Sequence, residues 1–167
     1  MTFNFKKHKI NLYNILLTLS RNIFFYKKIG LSDTFETRIY LMFFHFSIFM
    51  IIYKKKGQKF NQDLYDFVFH NIENNLREIG LGDVSVNKKM KELNKILYDI
   101  LIKIELIKNE EKKFQLNEDL IKKYFNLTKP EESTKLVDIN GYFLNFYNFC
   151  FEISLDNMLE DSINFKY

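Results

Sequence analysis

Arg77-Glu78-Ile79-Gly80-Leu81-Gly82-Asp83-Val84-Ser85-Val86-Asn87-Lys88-Lys89-Met90-Lys91 is the stretch that decides the fold. Before it, Phe60, Leu64, Val68, Ile72, Leu76 and Ile79 recur at spacings of three and four; after it, Met90, Leu93, Leu97, Ile100, Ile104 and Ile107 do the same. Each series is the apolar stripe of a long amphipathic helix. Gly80 falls where a helix-ending residue takes positive φ, which glycine does at least cost. With Gly80 first past the helix, Leu81 folds back onto Leu76, and Asp83 or Ser85 is placed to cap the next helix. The stretch therefore reads as a rigid helical corner. Lys88, Lys89 and Lys91 crowd the expected first turn of the second helix, where each exposed cation costs about 0.3–1 kcal/mol against the macrodipole. Two readings stay open: a solvated face in a lysine-rich chain, or a basic contact surface beside a stiff turn.

Outward from the corner the chain reads as helix throughout. Residues 10–26 form a first amphipathic helix with Tyr13, Leu16, Leu17, Ser20, Ile23 and Phe24 on one face. Asp33 followed by Glu36 resembles a capping box and opens a second helix. Its run from Ile39 to Tyr53 is the most apolar of the chain, yet at 15 residues with His45 and Ser47 inside it falls short of the roughly 20 a membrane span needs. It reads as a buried central helix. Helices over 60–79 and 85–108 flank the corner, Asn109–Lys113 is a polar break, and Asn117 caps a short helix to about Phe125. Pro130 closes the connection, and 132–151 form a last helix with Leu136, Ile139, Phe143, Phe146 and Cys150 on one face. From Ser154 a weakly helical, frayed tail is expected. No strand alternation and no repeat occurs. The expectation is an all-α single domain of six to seven helices with its core over about 10–151.

Composition sharpens some residues and dulls others. The 167 residues include no alanine and no tryptophan, and 47% are hydrophobic, which excludes a disordered chain. Only Arg21, Arg38 and Arg77 are arginine among 25 basic residues, so each marks a place where a planar, five-donor fork matters. Residues 1–60 hold 11 basic and 2 acidic side chains, net +9; residues 61–167 hold 14 and 19, net −5, together the overall +4. A basic N-terminal portion fits an anionic partner: a phospholipid surface, RNA or an acidic protein. Lys6, Lys7, Lys9, Lys27 and Lys28 flank the first helix, which also suits an anionic bilayer. Cys150, alone among apolar neighbours, reads as core in a reducing compartment. His8, His45 and His70 have no metal-ligand spacing, and Gly80-Leu81-Gly82 lacks the strand that a phosphate loop requires. No cofactor is expected.

Arg38 and His45 stand seven residues apart, on one face of the central helix. An arginine on such a face needs a carboxylate, and Glu78 or Asp83 of the corner is the expected partner. His45 reads as a satisfied core residue. An enzyme using His45, Arg38 and Glu78 or Asp83 as an acid–base cluster needs those groups to converge in an open pocket.

Asp33-Thr34-Phe35-Glu36-Thr37-Arg38 with Leu41 and His45, then Arg77-Glu78-Ile79-Gly80-Leu81-Gly82-Asp83-Val84-Ser85-Val86 with Lys88, Met90, Lys91 and Tyr98, resembles the ubiquinol–cytochrome c chaperone family. The likeness covers roughly residues 10–145. Thr37 stands where the family commonly has glycine, and Asn87 where a proline usually opens the helix. The resemblance implies a bacterial-type assembly factor of the respiratory chain and not an enzyme. Its implied partner is cytochrome b, newly made or unassembled, held until ubiquinol–cytochrome c reductase is built. A ribosome contact, a second assembly factor and peripheral contact with an anionic membrane are implied as further partners, and DNA is not. The expected location is cytoplasmic, peripheral to the inner membrane. The expected client or partner surface is the corner, comprising Arg77, Glu78, Gly80, Gly82, Asp83, Lys88, Lys89 and Lys91, with Asp33, Arg38, His45, Met90 and Tyr98 as family positions. The alternative is a ribosome- or RNA-surface binder acting through the basic N-terminal face, whose binding would fall steeply with salt.

Overall fold

The computed structural model describes residues 10–105 and 114–167, with the side chain of Glu105 left aside. Among these residues there are seven α-helices and no strand: α1 Leu12–Ser20, α2 Phe35–Lys55, α3 Gln62–Glu78, α4 Asp83–Glu105, α5 Glu118–Phe125, α6 Ser133–Glu152 and α7 Leu155–Asp161. The all-α reading is correct. The Asn109–Lys113 break, Ile107 and the N-terminal lysines Lys6, Lys7 and Lys9 lie outside the described residues.

α2 is the axis of the molecule. Its apolar residues run all round, so it has no single face to bury and must be enclosed. It packs against α1, α4, α5 and α6, and twelve of its residues are buried, from Ile39 to Ile52. By length and composition it passes as a candidate membrane span, yet 67% of its most apolar window is already buried by its neighbours. Around it Phe25, Phe43, Phe44, Phe46, Phe49, Tyr142, Phe143 and Phe146 fill the interior as large, fully buried rings.

The capping chemistry is mostly local. Asn117 Oδ1 accepts from Asp119 N at 2.8 Å to start α5, as expected, and Asn61 Oδ1, which the sequence reading does not single out, accepts from the amides of Asp63 and Leu64 to start α3. α2 departs from expectation. Its cap is Thr34, whose hydroxyl accepts from Thr37 N at 3.2 Å, so Asp33 is no cap and its carboxylate is left free for another partner.

Two segments differ more. The first helix stops at Ser20: Asn22 Oδ1 accepts from Phe24 N, and a π-turn over Phe24–Lys28 follows. That break changes the phase, so Phe24 and Phe25 enter the core while Ile23 is left 60% exposed. The tail is not frayed. Met158, Leu159 and Ser162 are buried, and the Phe165 and Tyr167 rings lie against Tyr142 at centroid distances of 5.3 and 5.5 Å. Gly141 explains the close approach, because a Cβ there would meet the Tyr167 hydroxyl at 2.8 Å. The core thus runs past residue 151 to the C-terminus.

Candidate functional site

The corner between α3 and α4 is built by backbone hydrogen bonds. Gly80 N donates to Arg77 O at 3.0 Å and Leu81 N to Leu76 O at 3.2 Å, the paired bonds of a glycine-terminated helix. Gly80 has φ +99°, and nothing stands within 4 Å of the Cβ it lacks. Its requirement is therefore conformational and not steric. We expect Gly80→Ala to lower the unfolding free energy by about 1 kcal/mol or more, from the left-handed conformation alone. Urea denaturation checks this, and an unchanged midpoint would show that the turn adapts.

α4 starts earlier than its apolar stripe indicates. Gly82 occupies the cap, with Val86 N donating to Gly82 O at 2.9 Å, so neither Asp83 nor Ser85 caps. Asp83 opens the helix as its first residue, where a carboxylate favours the macrodipole. Lys88, Lys89 and Lys91 accordingly lie beyond the first turn, and the penalty assigned to them there largely lapses. The same shift puts Asn87 in the second turn, away from the helix-opening place of the expected proline.

The arginines are where the sequence reading needs correcting. Arg38 does not pair with Glu78 or Asp83; its Nε donates to Asp33 Oδ1 at 2.6 Å, within its own helix start. That bond holds the Asp33 carboxyl below its ordinary pKa. Arg77 is the residue that clamps the corner. Its guanidinium donates to Asp83 Oδ1 across the turn and to Glu73 Oε1 at 2.8 Å one helical turn back. All three groups are partly or fully exposed, so the clamp orients the corner and adds only modestly to stability.

His45 is fully buried and doubly bonded. Leu41 O accepts only, so the 2.7 Å contact fixes the ring proton on Nδ1. Nε2 then accepts from the Tyr142 hydroxyl at 3.0 Å. Burial pushes the histidine pKa down to about 4, against the opposing Leu41 bond. His45 is the satisfied core residue expected. The acid–base cluster does not assemble: Arg38 and Glu78 line one cleft of about 400 Å³ with Arg21, and His45 is absent from it. His70 is far off on α3, bonded to Asn74. Cys150 is buried, its thiol pushed up to about 12 by that burial. Among the described residues no group of three or more metal-ligating side chains occurs.

The apolar content of the corner is visible only in three dimensions. Ile79, expected on the core face, is 60% exposed, and Val84 is 84% exposed. The turn lifts both out, since Ile79 leaves α3 at its end and Val84 enters α4 on its outer side. Beside them a groove of about 360 Å³ is lined by Phe35, Leu76, Ile79 and Leu81, with Glu36, Lys88, Lys89 and Glu92 at its polar wall. Met90 is half-buried against the core, and Tyr98 is 54% exposed on α4. Phe24 and Phe25 are core and add nothing to this surface. The arrangement is a stiff knuckle presenting aliphatic side chains beside a mixed-charge groove.

A family model described as Ubiquinol-cytochrome C chaperone matches residues 27–161, which include α2 to α7, the corner and the His45–Tyr142 pair. No curated protein and no solved structure matches the chain.

Proposed function

The chain belongs to the ubiquinol–cytochrome c chaperone family, whose role is assembly of ubiquinol–cytochrome c reductase, and from that premise we propose that its client is cytochrome b. The protein binds newly made cytochrome b at the corner, holds it without turnover and releases it to partner subunits. It does so at the cytoplasmic side of the inner membrane, as a peripheral protein.

One observation carries the reading. Ile79 and Val84 stand exposed on a turn held by Gly80 and by the Arg77 clamp, next to an apolar groove. Exposed aliphatics that adjoin an apolar groove form a patch, and a patch supports an interaction surface where a scattered exposed side chain does not. An unassembled membrane subunit offers the apolar segments such a knuckle meets, and Lys88 and Lys89 on the groove wall meet polar flanks. Rigidity matters because little ordering entropy is then lost on binding.

The test is capture of cytochrome b from detergent-solubilised membranes on tagged protein, wild type beside Ile79→Asp and Arg77→Ala. Both positions are exposed, so the variants fold. Capture by wild type with loss by at least tenfold in Ile79→Asp is expected, with a smaller loss in Arg77→Ala. Equal capture by all three removes the corner from the client site.

A further inference from the structure

The outer face of α4 carries a feature that starts at the corner, with Val84 and Lys88, and runs well beyond the client surface proposed there. Val84, Lys88, Lys91, Lys95, Tyr98 and Ile102 follow one another at spacings of four and three, and all six are exposed. At about 3.6 residues per turn they lie within about 40° of one line, which extends about 27 Å along the helix. The line is basic in the middle and apolar at both ends.

Its charge is uncompensated. Lys88, Lys91 and Lys95 make no ion pair among the described residues. The described carboxylates of α4 are all held by other cations. Asp83 is held by Arg77, and Glu92 lies 3.5 Å from Lys89. Asp99 accepts from Lys103 at 2.7 Å, from Lys123 at 2.8 Å and from Tyr124. Although burial opposes it, these bonds keep the Asp99 carboxyl well below the usual range. The fold thus gathers the helix's acids on its flanks and leaves three lysines facing outward alone.

We propose that this ridge is a docking surface for an anionic phospholipid bilayer. Symmetric pairing of this ridge with that of a second copy is disfavoured, because three lysines would face three lysines. On a bilayer, lysine heads reach the phosphates while their stems and the side chains of Val84, Tyr98 and Ile102 enter the headgroup boundary. A single convex ridge with apolar ends lies on a flat interface along its whole length. The surface gives the peripheral placement proposed above a physical basis and rests on that placement for its setting, but the binding itself needs no client.

The test uses purified full-length protein and vesicles that contain no cytochrome b, so its failure is separate from that of the client reading. Sedimentation is measured with phosphatidylcholine vesicles, alone and mixed with phosphatidylglycerol. Wild type is expected to bind only the mixed vesicles, less as salt rises. Lys91→Gln/Lys95→Gln should weaken that binding about twenty-five-fold, from about fivefold per lysine. Ile102→Ser should weaken it too, while Lys59→Gln/Lys166→Gln, with the same loss of charge elsewhere, should not. An equal loss in the Lys59/Lys166 control, or no binding by wild type, overturns the proposal. So does selective loss, in Lys91→Gln/Lys95→Gln, of an acidic protein partner with vesicle binding intact.

Discussion

A chain ending at Ile153 is expected to lose cooperative folding. Met158 and Leu159 are buried, and each such side chain contributes about 1.5–3 kcal/mol on burial. The missing tail also uncovers Tyr142, Phe146 and Phe149, which touch Phe165, and Phe24, which touches Tyr167. The combined loss is on the order of 5 kcal/mol or more, comparable with the whole stability of an ordinary domain. Near-UV circular dichroism and urea denaturation of the truncated chain read this directly. Because aggregation of the fragment would prevent a measurement, full-length Met158→Ala/Leu159→Ala serves as the second variant, with a loss of about 4 kcal/mol expected. A truncated chain that unfolds with the wild-type midpoint would mean that the tail is an appendage.

His45 gives the second large effect, and its pH dependence fixes the mechanism. Above the ordinary histidine pKa of 6.5 both folded and unfolded chains carry a neutral ring. Below it the unfolded chain takes up a proton, while the folded ring stays neutral until about pH 4. The unfolded state binds more protons across that window, so stability falls as pH drops from 6.5 to 4. The total is about 3 kcal/mol, and between pH 6.5 and 5 the slope approaches that of one proton. Asp33 and Asp99, both lowered in the fold, act in the same direction but below the carboxylate range, so the upper window isolates histidine. His45→Leu is expected to flatten that upper window. It should also cost about 1–3 kcal/mol at pH 7, because the Tyr142 hydroxyl loses its acceptor and Leu41 O its side-chain donor. A wild-type chain equally stable at pH 5 and pH 7 would place solvent at the ring.

What could be read from the chain was what local chemistry dictates. The Gly80 turn, the Leu81–Leu76 return, the Asn117 cap and the stripe Leu136, Ile139, Phe143, Phe146, Cys150 depend on neighbours a few residues away. Each was legible for that reason. Partnerships across space were less so. With Asp33 read as a cap, only distant carboxylates remain for Arg38; once Thr34 caps, the acid five residues before Arg38 is free to pair. His45 was legible as core, but its partner Tyr142 lies 97 positions away and no periodicity names it. Weak helix propensity makes the tail read as frayed. Its signal was Gly141, an interior helix glycine that costs about 1 kcal/mol relative to alanine and so needs a packing reason. That reason is Tyr167. Of the candidate site, the corner's existence was legible, whereas the exposure of Ile79 and Val84 was not, because it follows from where α4 begins and not from the apolar pattern.

The most direct test of the client-binding account is site-specific photo-crosslinking in cells that make the protein. A photoreactive residue at Ile79 is compared with one at Val137, which is 65% exposed on α6 and so equally open to contact. The account predicts a cytochrome b adduct from position 79 and none from position 137. Adducts of equal yield from both positions, or cytochrome b captured only from position 137, would contradict it.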